Sequence, residues 1–141
     1  MYVHPYLLFP GNARDALTRY AQVLGGQVTT LLTYGESPEG EAPEPYRSWI
    51  MHGCLEFGGQ LLMASDHAPF CPGPAYEGIK GCSISIQIPD LKQAGEVFAQ
   101  LDEGGRVQMP FGPTFWARGF GMCVDRYGVP WMVNCASPLH A

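Results

Sequence analysis

The sequence predicts an α+β fold made of two βαβββ modules, on three observations. A helical segment at 12–23 is echoed at 90–101, with Ala16 answered by Ala94, Tyr20 by Phe98, Ala21 by Ala99 and Gln22 by Gln100. After one inserted residue the echo resumes, Gly25-Gly26 answered by Gly104-Gly105 and Val28 by Val107. Around each echo the same order of elements is legible: a strand, a helix, three strands. A repeat of about 78 residues is too long for a solenoid unit and too short for an independent domain. The two halves are therefore expected to share one core and to hold a pocket between them. The boundaries read as a single domain over 1–141, with module 1 at about 1–66, a connector at 67–81 and module 2 at about 82–136.

Each element has its own local reason. Val3 to Phe9 is an apolar run closed by Pro10-Gly11, which reads as a strand. Asn12 has N-cap chemistry, and the helix after it runs to Leu24 with Ala13, Ala16, Leu17, Tyr20 and Leu24 on one stripe. Gly25-Gly26 stops it. Gln27 to Tyr34, rich in Val, Thr and Leu, is a strand, and the acidic, proline-rich stretch 36–46 is a loop. Ser48 to Phe57 and Gln60 to Ser65 are strands joined by a Gly58-Gly59 turn. A proline- and glycine-rich connector follows, carrying His67, Phe70 and Tyr76. Cys82 to Ile88 is a strand by its Ile84, Ile86, Ile88 alternation. Pro89-Asp90 opens the second helix, whose stripe is Leu91, Ala94, Phe98 and Leu101. Val107 to Met109, Gly119 to Val124 and Pro130 to Cys135 complete the second set of strands, the last two joined by a turn at 125–129.

Alternation also sorts the faces. The three isoleucines of the strand from Cys82 must pack on the helix, so Ser83, Ser85 and Gln87 face the other way. In the strand from Ser48, Met51, Leu55 and Phe57 form one face, and Ile50, His52, Cys54 and Glu56 the other. The helix-free side of the sheet therefore reads as a wet cavity and the working side.

Composition narrows the classes. A hydrophobic share of 46% with 15% charged residues fits a compact chain. The net charge is −5, and the basic residues are scattered, which excludes a nucleic-acid footprint. No apolar run approaches the roughly 18 residues of a membrane span, and the start lacks the pattern of a secretory leader. The five cysteines are scattered and form no CxxC pair, which fits reduced thiols in a cytoplasmic protein. Gly25-Gly26 and Gly104-Gly105 end helices rather than start them, so neither is a phosphate loop.

Several motifs in order carry a family resemblance. They are Pro5-Tyr-Leu-Leu-Phe-Pro-Gly-Asn-Ala, the Tyr20…Leu24-Gly-Gly helix end, and Phe57-Gly-Gly…Leu62-Met-Ala-Ser-Asp66. Thr114-Phe-Trp-Ala-Arg-Gly-Phe-Gly and Asp125-Arg-Tyr-Gly-Val-Pro-Trp-Met-Val-Asn134 close the set. With the two βαβββ modules, they make the chain resemble the vicinal oxygen chelate superfamily, and within it the PhnB-like branch. That superfamily includes glyoxalase I, extradiol dioxygenases and bleomycin-resistance proteins. The resemblance covers nearly the whole chain and implies a curved mixed sheet around a cavity, with helices outside. It also implies a homodimer, with the loop at 36–46 and the connector at 66–81 as the contributors to a partner's pocket. Function does not follow from it, because the superfamily hosts many chemistries.

Metal-dependent members place two histidines and two carboxylates around an open divalent site, two from each module. Carried over position by position, these ligands fall on His4, Met63, Ser83 and Met132. Thioethers and a hydroxyl are poor donors for a hard or borderline divalent ion, so the resemblance implies that the inherited site is lost and that no cofactor is bound. The alternative retained is a divalent metal (Zn, Ni, Mn or Fe) held by His4 and His52. His52 and Glu56 share a strand face but stand about 13 Å apart, too far to share one ion. His67 and His140 carry no signal.

The richest segment for binding is Phe111 to Phe120, where Phe115, Trp116, Arg118 and Phe120 fall close together. Rings with one guanidinium suit a planar or anionic small molecule, and they equally suit a barrel mouth or a subunit contact. Tyr34 and Trp49 are candidates for the same wall. The candidate ligand-binding set is therefore His52, Met63, Ser83, Ser85, Trp116, Arg118, Phe120 and Met132, with no catalytic residue identified. Two functions stand side by side. One is a metal-free binder of a small, partly aromatic or anionic molecule. The other is a metal-dependent glyoxalase- or dioxygenase-like enzyme. A methyltransferase ranks below both, since no cofactor-binding loop is legible.

Overall fold

The computed structural model describes residues 1–38 and 42–137; the middle of the acidic loop, 39–41, and the tail with His140 lie outside the described residues. The chain divides after Gly78 into two compact units.

The first unit runs β1 (Tyr6–Phe9), α1 (Ala13–Leu24), β2 (Gln27–Thr33), β3 (Ile50–Phe57) and β4 (Gln60–Asp66). The second runs β5 (Ile84–Gln87), α2 (Leu91–Asp102), β6 (Arg106–Gly112), β7 (Ala117–Val124) and β8 (Pro130–Ala136). Each forms its own four-stranded mixed sheet, ordered β1-β4-β3-β2 and β5-β8-β7-β6. In both, the first strand pairs parallel with the last and the other pairs are antiparallel. The βαβββ order is thus realised twice. The strands are shorter at their starts than alternation alone suggests: β1 begins at Tyr6 rather than Val3, and β5 at Ile84 rather than Cys82. Cys82, expected in a strand, is accordingly exposed, while Cys54, Cys123 and Cys135 are buried.

Each helix buries one stripe on its sheet. α1 buries Ala13, Ala16, Leu17, Tyr20 and Val23, and α2 buries Ala94, Val97, Phe98 and Leu101. Leu24 and Leu91, read as stripe members, lie at the margins; Leu91 is 41% exposed. Close approach needs glycine at the contact. A Cβ on Gly53 would press into Leu17, and one on Gly121 would sit 2.8 Å from the Phe98 ring.

The start of α1 differs from its expected cap. The Asn12 side chain makes no capping hydrogen bond. Instead Asp66, at the end of β4, accepts from the backbone N–H groups of Gly11 (3.1 Å) and Ala13 (2.9 Å) with Oδ1, and from Ile50 (2.8 Å) with Oδ2. One buried carboxylate therefore fastens helix α1 and strand β3 to strand β4. In the second unit the helix start is capped locally, Asp90 Oδ1 accepting from Gln93 N–H at 2.7 Å. There the buried carboxylate is Asp125, which accepts from Tyr127 N–H, Val129 N–H and Trp131 Nε1–H.

β-bulges decide which residues share a face. Leu32 pairs with His52 and Thr33 with Ile50, so Met51 is an extra residue in β3. It turns Ile50 onto the helix side, 1% exposed and with its Cγ2 3.5 Å from where a Gly53 Cβ would be. Strict alternation had put Ile50 beside His52; the bulge separates them.

Candidate functional site

The helix-free face of the first unit is built from β1, β4 and β3. Register places Tyr6 beside Met63, Met63 beside Cys54, and Leu8 beside Ser65. His52 lies on this face of β3. Its Nδ1 is 3.0 Å from the Tyr6 hydroxyl, and the two rings stack with centroids 5.7 Å apart. His4 precedes β1, and its ring stacks on Tyr2 at 6.1 Å. Each of the two histidines proposed as a pair thus has an aromatic neighbour of its own. Among the described residues no three His, Cys, Asp or Glu side chains gather as a metal-ligating group.

The helix-free face of the second unit is a lattice of two rows. In one, Ser85 lies beside Met132, Met132 beside Met122, and Met122 beside Met109. In the other, Gln87 lies beside Asn134, Asn134 beside Phe120, and Phe120 beside Gly112. The amides form a chain: Asn134 Nδ2–H donates to Gln87 Oε1 at 2.7 Å, and Gln87 Nε2–H donates to Ser85 Oγ at 3.2 Å. Asn134 Oδ1 is buried and has no hydrogen-bond partner. A buried acceptor without a donor costs free energy, about 1–3 kcal/mol, unless something supplies one. Ser83 lies before β5 and is exposed. Structural register supports the equivalence of the halves: Tyr6 stands to Met63 as Ser85 stands to Met132, and His4 and Ser83 each precede that pair by the same step.

Trp116 covers the end of this lattice. Its ring meets Phe120 edge-on at 5.3 Å and Phe115 at 4.8 Å; Phe115 is 87% exposed, Phe120 buried. Arg118 does not join them. Ala117 pairs with Ala136 and Gly119 with Cys135, so Arg118 is the extra residue of a bulge. Its guanidinium donates to the Pro89 carbonyl at 2.7 Å and to Cys135 Sγ at 3.3 Å, beside the start of α2. Cys135 belongs to the buried, helix-facing set of β8 with Trp131 and Val133. Spacing in the sequence joined Arg118 to the rings; the bulge parts them.

Tyr34 and Trp49 sit together in the first unit. Tyr34 meets Phe70 edge-on at 5.1 Å, and Tyr46 meets Trp49 at 4.9 Å and Phe70 at 5.9 Å. The Tyr34 hydroxyl donates to the Asp66 carbonyl at 2.7 Å and touches Cys71 Sγ at 3.2 Å. Burial first, then Cys71, push its ionisation well above the usual phenol range. His67 Nε2 is 2.9 Å from the Pro74 carbonyl. The residues that sequence reasoning passed over are Met109, Met122 and Asn134. A period-2 count along β7 and β8 reaches Met122 and Asn134, but Met109 joins them only through a bulge.

A family model described as 3-demethylubiquinone-9 3-methyltransferase matches residues 2–134. Protein YjdN of Escherichia coli (strain K12) is 32% identical over 143 residues, covering 95% of each chain. Among solved structures, protein PA1353 from Pseudomonas aeruginosa is 50% identical with a TM-score of 0.87, over 96% of this chain and 98% of that one. The PhnB protein from Bacillus cereus is 21% identical with a TM-score of 0.76, over 95% of this chain and 98% of that one, a likeness of fold. No helix is long and apolar enough to cross a membrane among the described residues.

Proposed function

The chain belongs to the 3-demethylubiquinone-9 3-methyltransferase family, in the PhnB-like branch of the vicinal oxygen chelate superfamily, and we propose that it binds a small, partly aromatic or anionic molecule on its helix-free strand faces. The observation that carries this reading is the second unit's lattice. Thioethers and a ring make an apolar floor, and a chain of amides runs beside it to a buried, unpartnered acceptor at Asn134 Oδ1. Such a mixture is what orients a small ligand: apolar area for affinity, a few polar groups for pose. Ser85 Oγ accepts from Gln87, so its own hydrogen is available to an anionic oxygen.

We read the binding as independent of the superfamily's divalent metal. The four positions to which its ligands carry over hold one imidazole, one hydroxyl and two thioethers, a donor set that does not fit such an ion. The description of the family as a methyltransferase points to a different reading. It is opposed by the glycine pairs, since Gly25-Gly26 and Gly104-Gly105 follow α1 and α2 rather than precede a helix and so offer no nucleotide-binding loop. We also read the chain as a homodimer in the cytoplasm. Exposed Val3, Tyr6 and Leu8 at the β1 edge support association, and sedimentation at graded concentrations tests it.

The central test is titration with 1-anilinonaphthalene-8-sulfonate, an aromatic anion. Saturable binding weakened by Asn134→Leu and by Ser85→Ala is expected. Binding that is unsaturable, or indifferent to both changes, overturns the reading. A full equivalent of Zn, Ni, Mn or Fe in purified protein, lost in His4→Ala, sinks the metal-free part. Saturable S-adenosylmethionine binding in calorimetry restores the methyltransferase.

A further inference from the structure

We propose that Met109, Met122 and Met132 form a binding site for a soft monovalent metal ion, Cu(I) or Ag(I). The three residues come from three strands yet stand in one row, each beside the next. Met109 reaches the row because β6 carries a bulge. Val107 pairs with Cys123 and Met109 with Met122, so Gln108 is extra and Met109 turns to the face opposite Val107. None of the three is needed by the core: Met109 is 40% exposed and the other two are half-buried. Nor does strand propensity call for them, since partly exposed strand positions favour β-branched and aromatic residues.

The donors select the ion. Thioether sulfur is soft, prefers Cu(I), and is a poor ligand for hard or borderline divalent ions. On this face Ser85, Gln87, Asn134 and Phe120 are uncharged, and exposed Arg106, opposite Val124 in the row on the other side, repels a divalent ion about twice as strongly as a monovalent one. Cross-strand neighbours have Cβ atoms about 5 Å apart, so the outer two methionines are about 10 Å apart. Flexible methionine side chains close that span over the central Met122. Phe120, two residues along β7 on the same face, offers a ring to a cation. The loss of the superfamily's harder donors at Met132 is then a change of metal class rather than a simple erasure.

This inference stands apart from the small-molecule reading, because an apolar floor needs only bulk whereas an ion needs sulfur. The test uses full-length protein carrying Cys71→Ser and Cys82→Ser, which removes the two accessible thiols, with the methionine methyl groups labelled with 13C. Silver(I) is titrated in, and copper(I) under reductant. Concerted shifts of the Met109, Met122 and Met132 methyl signals are expected, with saturation near one ion per chain and Met51 unmoved. Met122→Leu keeps the volume and removes one donor. It is expected to weaken silver binding by at least about tenfold while leaving the far-ultraviolet circular dichroism spectrum and the urea midpoint close to those of the parent protein. Absence of the three shifts, or silver affinity unchanged in Met122→Leu, overturns the proposal.

Discussion

Removing the Asp66 carboxylate tests how the first unit is held together. Asp66 is 1% exposed and accepts three backbone N–H bonds, two of them fully buried. Orphaning a buried donor costs about 1–3 kcal/mol, so Asp66→Ala is expected to cost about 3–5 kcal/mol. That is a large share of the roughly 5–15 kcal/mol that stabilises a typical domain, and corresponds to about 10–15 °C in Tm. Asp66→Asn keeps one acceptor for Gly11 and Ala13 but turns an amide donor toward Ile50 N–H, or the reverse. It is expected to cost about 1–3 kcal/mol. Asn12→Ala is the control. An N-cap asparagine is worth about 1 kcal/mol. Here the side chain makes no capping bond and its Oδ1 is buried without a partner, so the change is expected to stay within about 0.5 kcal/mol. Urea denaturation followed by far-ultraviolet circular dichroism measures all three. If Asn12→Ala costs as much as Asp66→Ala, the assignment of the cap to Asp66 is wrong.

Three further outcomes are expected. Gly121→Ala places a Cβ 2.8 Å from the Phe98 ring and 3.0 Å from Phe111 Cα, and should destabilise by about 1–3 kcal/mol in thermal melts. Trp131→Phe removes the 2.8 Å bond from Nε1 to the buried Asp125 carboxylate and should cost about 2–3 kcal/mol, read by denaturant midpoint. Burial, and behind it the Asp102 and Asp125 carboxylates, pushes the Cys123 thiol up to about 12 from 9.0. The folded state then holds this proton more tightly than the unfolded one, so stability falls as pH rises from about 9 toward 12. At pH 8 a thiol reagent should modify exposed Cys82 and spare Cys123 until the protein unfolds; equal rates would contradict this.

The architecture was legible because its signals are local and appear twice. The helix stripes, the glycine pairs and the alternation of Ile84, Ile86 and Ile88 need no knowledge of distant residues. The Asp66 cap was not legible, since its partners Gly11 and Ala13 lie more than 50 positions away in the chain. A strong local candidate at Asn12 concealed it. Sequence chemistry ranks a cap by residue type, and the fold chose the carboxylate that also satisfies Ile50.

The candidate site was legible only as far as parity holds. Counting by twos placed Ser85 and Gln87 on one face, the resemblance added Met132, and the register sets Met132 beside Ser85. It failed wherever a strand carries an extra residue. Met51 moves Ile50 to the core, Gln108 brings Met109 to the helix-free face, and Arg118 leaves the rings for Pro89 and Cys135. Each bulge lies where an exposed strand or strand end meets its neighbour, and each re-aims one side chain. In a fold whose repeat keeps the strand order constant, such insertions are a way to change what a face presents without changing the scaffold. The Gln108 bulge is the sharpest case: with Gln108 deleted, plain alternation from Val107 still sets Met109 opposite Met122, so the silver response should persist, whereas Met109→Leu should weaken it while the second unit keeps its strand order.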